Sequence, residues 1–170
     1  PEYGETWMTV IERSHRSADY EAIHSEAKER VRRASGAPDD FEILFLQGGA
    51  TLQFSMVPLN LLSEGEAAGY VESGSWGRKA LSDAKMLGGY SAWSGEASGY
   101  TTMPAPDEIE VRPGTRYLHV TSNETIGGIR MVDFPDLGVP LVADMSSDYL
   151  ARPIDWRLYD VDRKSTRLNS

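Results

Sequence analysis

A chain of 170 residues can bury one real core, and its 40% apolar and 25% charged residues are ordinary globular proportions. A net charge of −9 disfavours nucleic acid or an anionic membrane as partner, and the lack of cysteine excludes a disulfide scaffold, a thiolate zinc site and a cysteine nucleophile. No apolar run approaches the roughly 18 residues of a membrane span and no signal-peptide pattern opens the chain, so a soluble cytoplasmic domain is expected.

The opening stretch to Arg16 reads as irregular, and without an initiator Met a start in mid-protein is expected. Ser17 can cap a helix running to about residue 35. Tyr20, Ile23, Ala27, Val31 and Ala34 recur every three or four residues along one face, and Gly36 stands where helices stop. The run 43–47 (ILFLQ) has strand length and breaks at Gly48-Gly49. A helix over 51–62 follows, which Pro58 must kink or restart. Strand, helix and weak strand then follow at 69–72, 75–87 and 90–93. The Gly-, Pro- and Thr-rich stretch 94–114 reads as a surface excursion, and strands are expected at 117–121 and 139–143. Helices alternating with short, near-continuous apolar strands predict an α/β domain with a mostly parallel sheet flanked by helices. "RLYDV" (157–161) looks like one more strand beginning. "DRKSTRLNS" (162–170) has no period and reads as a foreign tail.

In an open parallel sheet, ligands bind beyond the carboxyl ends of the strands. The residues following each apolar run therefore carry the functional argument. They are Gly48, Gly49, Ala50 and Thr51; then Ser73, Gly74, Ser75 and Trp76; then the segment 121–125, ending in Glu124-Thr125; then Asp144, Ser146 and Ser147. A glycine turn entering a helix leaves N–H groups free for a phosphate, although a tight turn without ligand would use the same glycines. Trp76 could equally be a core aromatic, Thr125 a turn hydroxyl and Asp144 a cap. Placed together on one edge, they suit an aromatic, phosphorylated, cationic heterocycle. Trp76 would stack on its face, the Gly48-Gly49 turn would hold its phosphate, and Asp144 would pair with a ring N–H⁺. Pyridoxal phosphate has this chemistry.

The wording of the chain goes further. "IERSHRSADY", "GGATLQFSMVPLNLL", "SGSWGRKA", "SNETIGGI" and "VADMSSDYLARPID" occur in unbroken order, and together they resemble the phosphoserine aminotransferases, which are fold-type-I pyridoxal-phosphate enzymes. The resemblance spans residues 1–161. It implies part of an aspartate-aminotransferase-like large domain over 1–161, with 162–170 outside it. Ala50 and Thr51 would stand where the family binds the cofactor phosphate. Trp76 would stack on the ring, Thr125 would bond its 3-oxygen, and Asp144 would pair with its nitrogen. His15 and Arg16 fall in the segment that the family uses for substrate phosphate or carboxylate, reaching a neighbouring subunit of a homodimer. The implied reaction moves an amino group between O-phospho-L-serine and 2-oxoglutarate, in serine biosynthesis.

There are departures. Thr51 stands where some members carry arginine, the family's N-terminal substrate loop is absent ahead of Pro1, and the segment with the cofactor-bonding lysine does not follow Val161. The chain as written is therefore expected to bind the cofactor weakly and without a covalent bond. Lys164, in the aperiodic tail, should stay solvated, and Lys28, Lys79 and Lys85 read as polar helix residues. His24 reads as a helix-face residue and His119 as a strand histidine. Two alternatives stand beside this reading. One is another small fold-type-I aminotransferase or desulfurase. The other is a non-catalytic nucleotide-binding module, which predicts a G-x-G-x-x-G or G-K-[ST] pattern that the sequence lacks.

Overall fold

The computed structural model describes residues 8–159. Ser17 accepts the amide of Tyr20 at 3.3 Å and opens helix α1 (Ala18–Ser35), which closes on left-handed Gly36 at φ 68°. Asp19 and Glu21 in its first turn, and Arg32 and Arg33 in its last, complement the helix dipole. Its apolar face is only half-buried and Ala34 is exposed, so the core lies elsewhere.

Helix α2 (Gly49–Leu61) runs through Pro58 without restarting, contrary to the sequence expectation. Pro58 sits in the last turn, where its missing N–H removes only the bond to the carbonyl of residue 54, and its own carbonyl accepts the amide of Leu62. Strand β1 (Ala67–Glu72), helix α3 (Ser75–Ala84) and strand β2 (Gly89–Ser94) follow as expected. Strand β3 (Thr115–Thr121), the two-residue strands β4 (Asn123–Glu124) and β5 (Ile129–Arg130), and strand β6 (Leu141–Asp144) complete the order. Four strands form a parallel sheet in the order β2-β1-β3-β6, while β4 and β5 make a separate antiparallel hairpin.

The strands look uniformly apolar because both faces of the sheet are covered, and residue parity sorts them. Ala68, Tyr70, Tyr117 and Val142 pack with Phe54 and Val57 of α2 and with Ala80, Leu81 and Ala84 of α3. Val71, Leu118, Val120, Leu141 and Ala143 point the other way, onto Ile109, Met131, Met145 and Tyr159 from the long connections. Leu81 is 1% exposed, and truncating such a side chain to alanine costs about 2–5 kcal/mol.

From β1 the chain crosses by α3 to β2 on one side, then returns to β3 on the other. Neighbouring strands β1 and β3 thus send their following loops to diverging connections, which opens a crevice at their carboxyl ends.

Two strand expectations fail. The run 43–47 forms no strand and pairs with none among the described residues. Leu44, Phe45 and Leu46 are about half exposed, and the described sheet ends at β2 and β6 without them. The segment that looked like a new strand begins as a 3₁₀ turn, Trp156–Leu158, whose neighbour Tyr159 is buried in the core. The tail 162–170, with Lys164, lies outside the described residues.

Candidate functional site

Gly48 caps α2 in a left-handed conformation at φ 96°, and a Cβ there would fall 2.2 Å from Cδ2 of Leu52. Only glycine fits such a turn. The first bond inside the helix runs from the amide of Leu52 to the carbonyl of Gly48 at 3.4 Å. The amides of Gly49, Ala50 and Thr51 precede it and stand at the helix's positive end, where an anion is favoured. The expected glycine turn is present. The sheet strand expected before it is not, and α2 is instead positioned by its packing on α3.

Helix α3 starts on Gly74, which has no side chain to cap it. A carboxylate from β4, distant in the chain, does so. Oε2 of Glu124 accepts the Trp76 amide at 3.0 Å, and Oε1 accepts the Gly77 amide at 2.8 Å and the Ser73 hydroxyl at 3.2 Å. Glu124 is 0% exposed. The next residue, Thr125, receives the indole N–H of Trp76 on its hydroxyl oxygen at 3.0 Å. Having accepted there, the hydroxyl keeps its own proton to donate elsewhere.

Asp144 ends β6 directly opposite Thr121 of β3. Its Oδ1 accepts the Ser146 amide at 3.0 Å and the Ser146 hydroxyl at 2.5 Å. Two positions earlier on β3, His119 stacks on Tyr70 with ring centroids 4.9 Å apart and meets Phe54 edge-on at 6.2 Å. Burial lowers the His119 imidazole to about 4, and the negative charge of Asp144 opposes that shift only in part. Neutral at ordinary pH, it adds no charge beside the Asp144 carboxylate. The Oγ1 of Thr121 is buried and has no hydrogen-bond partner.

These loops enclose one cleft of about 260 Å³. Ala50, Thr51, Trp76, Thr125 and Asp144, all singled out by sequence, line it together, despite lying on four separate stretches of chain. His15 and Arg16 do not; both are exposed and stand just before α1. No described lysine lines the cleft. Lys28 pairs with Glu42 and Lys79 with Asp83. Sequence reasoning gave no role to Glu124, Thr121 or Phe54. A glutamate three residues after a buried strand and three before Gly127-Gly128 was the one signal for Glu124.

The chain matches the family model "Aminotransferase class-V" over residues 2–165. A phosphoserine aminotransferase of Niallia circulans is 51% identical over 156 residues, covering 91% of this chain and 43% of the relative. Among solved structures, the phosphoserine aminotransferase of Bacillus circulans subsp. alkalophilus superposes with a TM-score of 0.88 at 49% identity, over 93% of this chain and 44% of that one. The PLP-bound phosphoserine aminotransferase of Trichomonas vaginalis superposes with a TM-score of 0.81 at 37% identity, over 89% of this chain and 46% of that one. The chain thus spans less than half the length of these relatives. With the family model matched over nearly its whole length, the chain belongs to the class-V aminotransferases.

Proposed function

We propose that this chain forms part of the large domain of a phosphoserine aminotransferase and carries most of one wall of its pyridoxal-phosphate site. The convergence of a helix N-terminus, a flat aromatic, a hydroxyl and a carboxylate in one cleft supports this reading best. The residues fit the group. Free amides stand at the Gly49 end, a carboxylate lies at Asp144, and the buried, unpartnered Oγ1 of Thr121 awaits a polar neighbour.

In this reading the amides of Ala50 and Thr51 bind the cofactor phosphate, as helix N-termini bind anions. Trp76 packs on the face of the ring, and Thr125 donates its remaining proton to the ring oxygen. Asp144 accepts from the ring nitrogen and keeps a proton there, with one of its oxygens already fixed by Ser146. Bound there, pyridoxal phosphate would supply an electron-poor ring that takes up the electron pair left when an amino acid loses its α-proton. The reaction is amino transfer between O-phospho-L-serine and 2-oxoglutarate, in a cytoplasmic homodimer. His15 and Arg16, exposed and away from this cleft, serve the substrate anion in the partner's site, where a guanidinium fork suits phosphate or carboxylate.

Titration of the 170-residue chain with pyridoxal 5′-phosphate, ATP and NAD, followed by absorbance and calorimetry, tests the proposal. Saturable binding of pyridoxal phosphate, abolished by Asp144→Ala with Trp76→Ala, is expected. Preference for ATP or NAD would overturn it.

A further inference from the structure

We infer that Glu124 is a positioning residue. It never faces the cleft, yet it fixes the wall against which the ligand ring packs. The inference rests on the cofactor reading above for its ligand, but its geometry stands on its own.

A helix N-terminus ordinarily finds its cap in the residue just before it, as α1 does in Ser17. At α3 that residue is Gly74 in extended backbone, and the cap comes from 47 to 48 residues away in the chain. The carboxylate is packed in closely. A Cβ on Gly74 would lie 2.7 Å from Cδ of Glu124, and one on Gly77 would lie 2.6 Å from the carbonyl oxygen of Val71. With three donors converging on two oxygens and no exposure, the side chain has one place to be.

Two consequences follow for the cleft. The Glu124 carboxylate holds the backbone of Trp76, while the adjacent residue, Thr125, holds its indole ring. One dipeptide therefore grips this tryptophan at both ends and sets the ring's position and tilt. The same grip ties the loop after β1 to the loop after β3, across the switch point where the crevice opens. Trp76 is 37% exposed and owes little of its orientation to burial, so these hydrogen bonds orient it.

The substitution Glu124→Gln keeps the shape but replaces one acceptor oxygen with an NH₂ that must face a backbone or hydroxyl donor. Ser73→Ala removes one donor and leaves both amides bonded, which makes it the milder probe. Each variant of the 170-residue chain is labelled with 5-fluorotryptophan, and the resonances are assigned by Trp→Phe substitutions. Fluorine NMR is recorded before and after adding pyridoxal 5′-phosphate. In Glu124→Gln the Trp76 resonance should shift and broaden while those of the other three tryptophans, Trp7, Trp93 and Trp156, stay put, and affinity should fall on the order of tenfold. Ser73→Ala should shift Trp76 in the same direction by less.

An unmoved Trp76 resonance in Glu124→Gln overturns the inference, as does unchanged affinity in a wild-type chain that binds. Movement of all four resonances together would mean loss of the fold. Ser73→Ala then decides the matter, and an unmoved Trp76 in that variant overturns the inference. If the wild-type chain does not bind pyridoxal phosphate, the cofactor reading falls, and a Trp76-specific shift still establishes the positioning.

Discussion

The indole N–H of Trp76 donates to the hydroxyl oxygen of Thr125 at 3.0 Å, across 49 residues of chain. The bond makes two cleft residues into one unit, because the aromatic face and the hydroxyl proton are oriented together. Trp76→Phe should keep the face but release Thr125, and Thr125→Val should release the indole. In a double-mutant cycle on pyridoxal-phosphate affinity, the pair should couple by about 0.5–1.5 kcal/mol. Purely additive losses would show two independent contacts.

Asp144 makes a separable contribution. Asp144→Asn keeps an acceptor for Ser146 but loses the charge, and charged hydrogen bonds are worth about 1.5–3 kcal/mol. Affinity for pyridoxal phosphate should fall by about tenfold or more. Affinity for a phosphorylated benzaldehyde, which has no ring nitrogen, should barely change. Equal losses for both ligands would remove the carboxylate from its assigned partner.

His119 predicts a pH dependence of stability. The unfolded chain takes up a proton near the ordinary value of 6.5, whereas burial holds the folded imidazole to about 4. The stabilisation tied to the neutral ring is therefore whole above pH 6.5. It drains away as the pH falls from 6.5 to 4, by about 3 kcal/mol in all. Urea unfolding of wild type and His119→Phe, compared at pH 7.5, 5.5 and 4.5, isolates this loss from that of the carboxylates. Parallel losses in the two proteins would contradict it.

The buried hydroxyls of Tyr70 and Tyr117 lie 2.7 Å apart on the helix-packed face of the sheet. Burial pushes Tyr117 up to about 12 and Tyr70 higher still, so both remain protonated through physiological pH. Tyr70→Phe strands the Tyr117 hydroxyl and should cost about 1–3 kcal/mol by thermal unfolding, while replacing both tyrosines should cost less than the sum of the single changes.

Much of this was legible in the sequence because its causes are local. Ser17 and Gly36 bound α1 by capping chemistry within a few residues. The convergence of Trp76, Thr125 and Asp144 was legible too, since parallel strands put all their following loops on one edge. What escaped depends on distant neighbours. Residues 43–47 have the composition of a strand, but a strand also needs an edge to pair with, and composition does not supply one. Pro58 signals a break only if more than a turn of helix follows it, and here α2 ends three residues later. Glu124 looks like any turn carboxylate until the α3 amides arrive from the other side of the switch point.

The cleft's walls come from loops that enter the sheet at widely separated times along the chain, between Gly48 and Ser147. No shorter stretch contains all of its walls. Contacts of such long sequence separation are slow to form, because loop closure must precede their reward. A ligand of this cleft would therefore bind after β6 has docked, and by mass action it would stabilise only the finished topology. Its binding isotherm counts molecules whose sheet is complete, a different quantity from the helix content that circular dichroism reads.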